Sequence, residues 1–174
     1  ACGRLFEVAD GFVLQVHSVE RPATAEAPFT LCDPASANRA VNRAARYGRP
    51  FRVALPTYGY FFAFDATGAW LGLSAEGPMP NWPEASRIRE VIADATALAG
   101  LVAGWQTNRP RWMTGAIWYR LPVDSDELNW TWSTLQRVMT GEVPRAVVKA
   151  EARTDPTGLA RIMVRNEGDA DAQG

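Results

Sequence analysis

The chain has 174 residues, 47% of them hydrophobic, ample for one core and thin for two, so one domain with an appendage is expected. Its 18 Lys and Arg balance 19 Asp and Glu with no basic run, which argues against nucleic acid or an anionic membrane surface as a partner. No apolar run approaches the length of a bilayer span and no charged leader precedes an apolar stretch, so this segment is expected to hold neither a membrane span nor a signal peptide.

Cys2 and Cys32 are spaced for neither a paired-cysteine metal site nor a disulfide framework and are read as free thiols. With His17 the only histidine, no metal centre is expected. No Gly-rich phosphate loop follows a strand, so no nucleotide cofactor is expected either.

In chain order, FVLQV at 12–16 is short, mostly apolar and reads as a strand buried on both faces. A helix follows over 34–47, where Ala37, Ala40, Val41, Ala44 and Ala45 recur at helical spacing while Arg39, Asn42, Arg43 and Arg46 take the other face. Asp33 is placed to cap it, Pro34 suits its first turn and Gly48 its end. FRVAL at 51–55 is the second strand. Beyond it, YFFAF and AWLGLS flank the turn signal DATG, which predicts a β-hairpin flap. Ile88, Val91, Ile92, Ala95, Leu98, Ala99 and Val102 predict a second helix over about 84–105. AIWY at 116–119 is the third strand. The segment DSDE, with Asp124 or Ser125 as cap, then opens a third helix that turns Leu128, Trp132, Leu135 and Met139 inward before Gly141. Finally, AVVKAEAR and LARIMVRN around TDPTG predict a C-terminal β-hairpin.

Strand and helix in strict alternation describe βαβ units, hence an α/β fold with a parallel sheet. Helix-to-strand links are short, as in GRP at 48–50, whereas the strand-to-helix links over 18–33 and 57–82 far exceed the usual ~2–6 residues. Parallel α/β folds place their sites at the carboxyl ends of strands, and the aromatic-rich TYGYFFAF leaves the second strand at that end.

Three stretches carry a family resemblance: FVLQVHS, GRPFRVALPTYGY and GAIWYRLPVDSDELNW, with LSAEGP at 73–78 alongside them. Together they resemble the C-terminal half of an uncharacterised bacterial family, a domain of unknown function with a glycoside-hydrolase-like (β/α)8 TIM-barrel fold followed by a small β-domain. The resemblance implies a protein of the periplasm or cell envelope that binds or hydrolyses a glycan there. An Asp-rich segment that the family carries on an earlier strand has no counterpart here, so this chain alone is expected to be inactive. A complete barrel needs roughly 250 residues and eight strands, against about three strand-helix units here. The expectation is therefore a partial (β/α)8 barrel over 1–143 and the start of a small β-domain over 144–174. The absence of an initial Met, and an end at NEGDADAQG just after a strand, suit a piece of a longer protein, with the N-terminal half of the barrel as the missing partner.

Alternation along the first strand sets Val13, Gln15 and His17 on one face, which in a barrel points inward, so the His17 imidazole is placed to meet a ligand or carry a proton. A satisfied core histidine is the competing reading. Trp118 and Arg120 share a face of the third strand, with Ile117 and Tyr119 opposite; Arg120 is read as an anion ligand, as for a uronic acid, or as a structural ion pair. Tyr58, Tyr60, Trp82, Trp118 and Trp130 all fall in or beside strand-to-helix connections, and their flat faces with polar edges suit sugars as well as core packing. Glu76, after the flap, is the leading catalytic carboxylate, with Asp124 second unless it caps the third helix. These residues support a glycoside-hydrolase-like cleft. The alternatives are a non-catalytic glycan-binding module and a protein-interaction scaffold that docks through the aromatic flap.

Overall fold

The computed structural model describes residues 8–18, 20–75 and 79–170. The described chain is mixed α/β. Its elements are β1 (Phe12–Gln15), α1 (Pro34–Ala44) with a short 3-10 turn (Ala45–Tyr47), β2 (Phe51–Pro56), β3 (Gly59–Phe64), β4 (Trp70–Ala75), β5 (Arg87–Ile92), α2 (Ala95–Thr107), β6 (Met113–Tyr119), α3 (Trp132–Met139), β7 (Val148–Thr154) and β8 (Ala160–Asn166).

The three predicted strands pair with one another in a single parallel sheet of order β1-β2-β6, with Phe12 opposite Phe51 and Leu55 opposite Trp118. One face of it is packed. Phe51, Val53 and Leu55 of β2 are essentially sealed from solvent against Ala37, Val41 and Ala44 of α1, Leu98, Ala99 and Val102 of α2, and Leu135 and Val138 of α3. Each fully buried Val, Leu or Phe of this set stabilises the fold by about 1.5–3 kcal/mol. The Trp105 indole of α2 adds a directed contact, donating to Asn38 Oδ1 of α1 at 2.7 Å. Asp33 caps α1 as its position predicts, accepting from the Ser36 amide at 2.8 Å.

The opposite face departs from the expectation of strands buried on both sides. Val13, Gln15, Arg52 and Tyr119 are exposed there, and no described element covers them. β1 and β6 are sheet edges, so the three strands do not close on themselves among the described residues.

The flap hairpin forms between β3 and β4, but it is part of a larger unit. β5 pairs antiparallel with the other edge of β3, from Gly59↔Ile92 to Phe64↔Arg87, giving a second sheet of order β4-β3-β5. The helix predicted over 84–105 is thus split: 87–92 is strand, and the helix begins at Ala95 under the Asp94 cap. Ile88, Val91 and Ile92 satisfy helical spacing, yet they are β-branched and lie within hydrogen-bonding reach of an unpaired β3 edge, which favours the extended form.

The third helix also starts later than predicted, at Trp132 rather than near residue 125. Asp124 is exposed and lies outside the helix. Leu128 and Trp130 are instead pinned as buried anchors of a loop, where the Trp130 indole donates to Ala93 O at 2.8 Å.

The C-terminal hairpin is present, with β7 and β8 paired from Val148↔Asn166 to Thr154↔Ala160. Both hairpins turn on the same chemistry, Asp-x-Thr-Gly. Asp65 accepts from the Thr67 and Ala69 amides and Asp155 from those of Thr157 and Leu159, while Gly68 and Gly158 take φ of 87° and 85°, a region unfavourable to any side chain. Cys32 is a buried free thiol whose burial, reinforced by the charge of Asp33, pushes its pKa up to about 12. Cys2 lies outside the described residues. No described helix is long and apolar enough to cross a membrane.

Candidate functional site

The carboxyl ends of β1, β2 and β6 bring three residues of the open face together, because each strand presents alternate side chains to that face. His17 follows β1, Tyr58 follows β2 and Tyr119 ends β6. The His17 ring lies edge-on to Tyr58 at 5.8 Å and nearly parallel to Tyr119 at 6.2 Å, while Tyr58 meets Tyr119 edge-on at 5.6 Å and Tyr60 at 5.3 Å.

A hydrogen-bond network runs through these rings. The Tyr58 hydroxyl is 2.6 Å from Ser18 Oγ, 3.1 Å from the Tyr60 hydroxyl and 3.2 Å from His17 Nδ1; Ser18 Oγ is itself 3.3 Å from that nitrogen. His17 and Tyr58 are each only 3% exposed. Burial depresses the His17 pKa from 6.5 to about 4, so the imidazole is neutral at physiological pH. Ser18 holds φ of 55°, an uncommon value for a side-chain-bearing residue, at the point where the chain leaves β1. Gln15 is exposed on the open face and donates through Nε2 to the His17 carbonyl at 3.1 Å.

The loop after β6 closes one side. Thr57 is fully buried, and its amide donates to Tyr119 O at 2.9 Å while its carbonyl accepts from the Trp130 amide at 2.9 Å, clamping β2, β6 and the loop together. Arg120 pairs with Asp126, whose side chain is 6% exposed. Burial alone would raise the Asp126 pKa. The Val123 amide and the Asn129 side chain, each at 2.9 Å, together with Arg120, outweigh it and hold the carboxyl below its usual range.

Of the sequence-predicted site residues, Gln15, His17, Tyr58 and Tyr60 converge in this cluster. Arg120 stands beside it as a structural ion pair, one of its two readings. Trp82, Trp118 and Trp130 pack elsewhere. The Trp82 indole lies against the antiparallel sheet at Gly72, where a Cβ would stand 2.8 Å from the ring. Trp118 faces the helices, 6.3 Å from Trp130, and lines a cleft of about 190 Å³ shared with Trp105, Met113 and Met139. Trp130 is 4% exposed and belongs to the core. Glu76 lies outside the described residues. Ser18 and Tyr119 were not expected here. The signal for Tyr119 was available, since alternation sets it opposite Trp118, and the packed face is the one that Trp118 shares. Among the described residues no three His, Cys, Asp or Glu side chains gather as a metal site.

Chemically, the cluster offers neutral hydroxyl, amide and imidazole groups around flat rings, at the end of a parallel sheet where ligands collect. A family model described as a domain of unknown function (DUF3142) matches residues 2–124, a span that holds β1 through β6 and every residue of the cluster. No curated protein and no solved structure matches the chain.

Proposed function

This chain belongs to the DUF3142 family, and we propose that it binds a glycan of the cell envelope at the carboxyl ends of β1, β2 and β6, as one part of a glycoside-hydrolase-like (β/α) barrel. The observation that carries this reading is the convergence of His17, Tyr58, Tyr60 and Tyr119 at one end of three parallel strands, two of the rings buried and two partly open. Buried polar groups with satisfied partners are rigid, and rigid aromatic rings with hydroxyl edges match the alternating apolar and polar surface of a sugar. What supports the barrel is that, among the described residues, helices layer one side of the sheet only and both its edges are open to further strands.

Binding is better supported than hydrolysis. A glycosidase needs two carboxyl groups about 5–9.5 Å apart, and the Asp126 carboxylate near the cluster is engaged by Arg120, Val123 and Asn129. Glu76 is the proposed general acid if the chain also hydrolyses its ligand. Affinity electrophoresis through gels containing a series of soluble polysaccharides tests the reading. Retardation that persists in Glu76→Gln and weakens in Tyr60→Ala is the expected result. Absence of retardation across the series, or retardation that Tyr60→Ala leaves unchanged, overturns it. Release of reducing sugar that Glu76→Gln abolishes extends the reading to catalysis.

A further inference from the structure

We propose that Tyr119 is the stacking platform of this cluster and that the sugar it accepts is an uncharged pyranose rather than a uronic acid; the inference rests on the glycan-binding reading above. Tyr119 is 51% exposed, yet its ring is backed by two buried rings, His17 at 6.2 Å and an interplanar angle of 23°, and Tyr58 at 5.6 Å. Its backbone is fixed as well, opposite Pro56 in the ladder and accepting from the Thr57 amide at 2.9 Å. A half-exposed ring held on a rigid base gives up little conformational freedom when it is covered. A flat π-face of this kind suits the C–H face of a pyranose, and the two rings that back it carry neutral hydrogen-bonding groups, Ser18 and Tyr60 on the Tyr58 hydroxyl and the Gln15 amide on the His17 carbonyl.

The charge argument selects the ligand class. Arg120, the cation nearest the platform in sequence, is paired with Asp126. The imidazole behind the ring is buried among tyrosines. A uronate carboxylate brought to the platform would lose hydration beside a guanidinium already engaged by Asp126, at a cost that neutral hydroxyl groups avoid.

Titration calorimetry with a soluble mixed-linkage β-glucan and with polygalacturonate tests the inference on the whole chain. Tyr119→Ala is expected to weaken β-glucan binding about tenfold, the equivalent of about 1.4 kcal/mol, and Tyr119→Trp to keep it within about threefold of wild type, with little dependence on salt. The Trp variant keeps the ring, so loss in Ala with retention in Trp separates stacking from misfolding. If Tyr119→Ala leaves affinity unchanged while Tyr60→Ala weakens it, the platform is refuted and the glycan-binding reading survives. Tighter binding of polygalacturonate that salt abolishes refutes the uncharged class alone. Binding of neither polymer by the wild-type chain refutes this inference, and the broader polysaccharide series then decides whether the glycan-binding reading falls with it.

Discussion

His17 offers a direct test of how the cluster is built, because it is the only imidazole in the sequence. Above pH 6.5 the ring is neutral in both folded and unfolded chains and adds no pH dependence. As pH falls through 6.5, the unfolded chain takes up a proton that the folded chain refuses until about pH 4, so stability declines across that window and the loss is complete near its lower end. At about 1.4 kcal/mol per pH unit, the group alone removes about 2 kcal/mol between pH 7 and 5, and about 3 kcal/mol by pH 4. Two assays read this. The imidazole proton resonance should hold its neutral-form shift until the pH nears 4. Urea unfolding at pH 7 and pH 5 should show the wild type losing about 2 kcal/mol more than His17→Gln, which lacks the titrating group. A resonance midpoint near 6.5, or equal losses in the two proteins, would mean that the ring is solvated and that the closed Tyr58–Tyr119 cage around it is wrong.

Tyr58→Phe removes a hydroxyl shared by Ser18, Tyr60 and His17; denaturant titration should register a loss of about 1–2 kcal/mol, limited because Ser18 still reaches His17 at 3.3 Å. Asp126→Asn removes the carboxylate charge that faces Arg120, and thermal unfolding should report about 2 kcal/mol of destabilisation. That is less than the ~3–5 kcal/mol of a fully buried pair, since the Arg120 side chain retains 33% exposure. Leu135→Ala empties a fully buried position of α3 and should cost about 3 kcal/mol, with any proposed polysaccharide affinity of the cluster unchanged below the transition. A larger effect on affinity than on stability would place α3 in the site.

Local chemistry was read correctly wherever neighbouring residues alone decide the outcome. Asp33, Pro34 and the alanine stripe of α1, the two Asp-x-Thr-Gly turns and the three strand segments depend on bonds and spacings within a dozen residues, and all form where predicted, the strands buried on one face rather than both. Alternation likewise placed Gln15 and His17 on one face before any partner was known. The failures share a different cause. Ile88, Val91 and Ile92 fit a helix and a strand equally well, and the open edge of β3, more than twenty residues earlier, settled the matter. Trp82, Trp118 and Trp130 carried the same chemistry as Tyr58 and Tyr60, but which rings of the parallel sheet meet the helices and which meet the open side depends on which face of a strand the helices cover.

What the sequence determined by itself was therefore the parallel order of strand-forming segments and the crowding of rings at their carboxyl ends, because backbone alternation and turn chemistry are local. The tertiary structure decided that the packed side belongs to Trp118 and the open side to Tyr119, that β5 completes the second sheet, and that Arg120 meets Asp126. Those outcomes turn on contacts between elements far apart in the chain, where burial and the pairing of polar groups, rather than the preference of any short segment, set the lowest free energy.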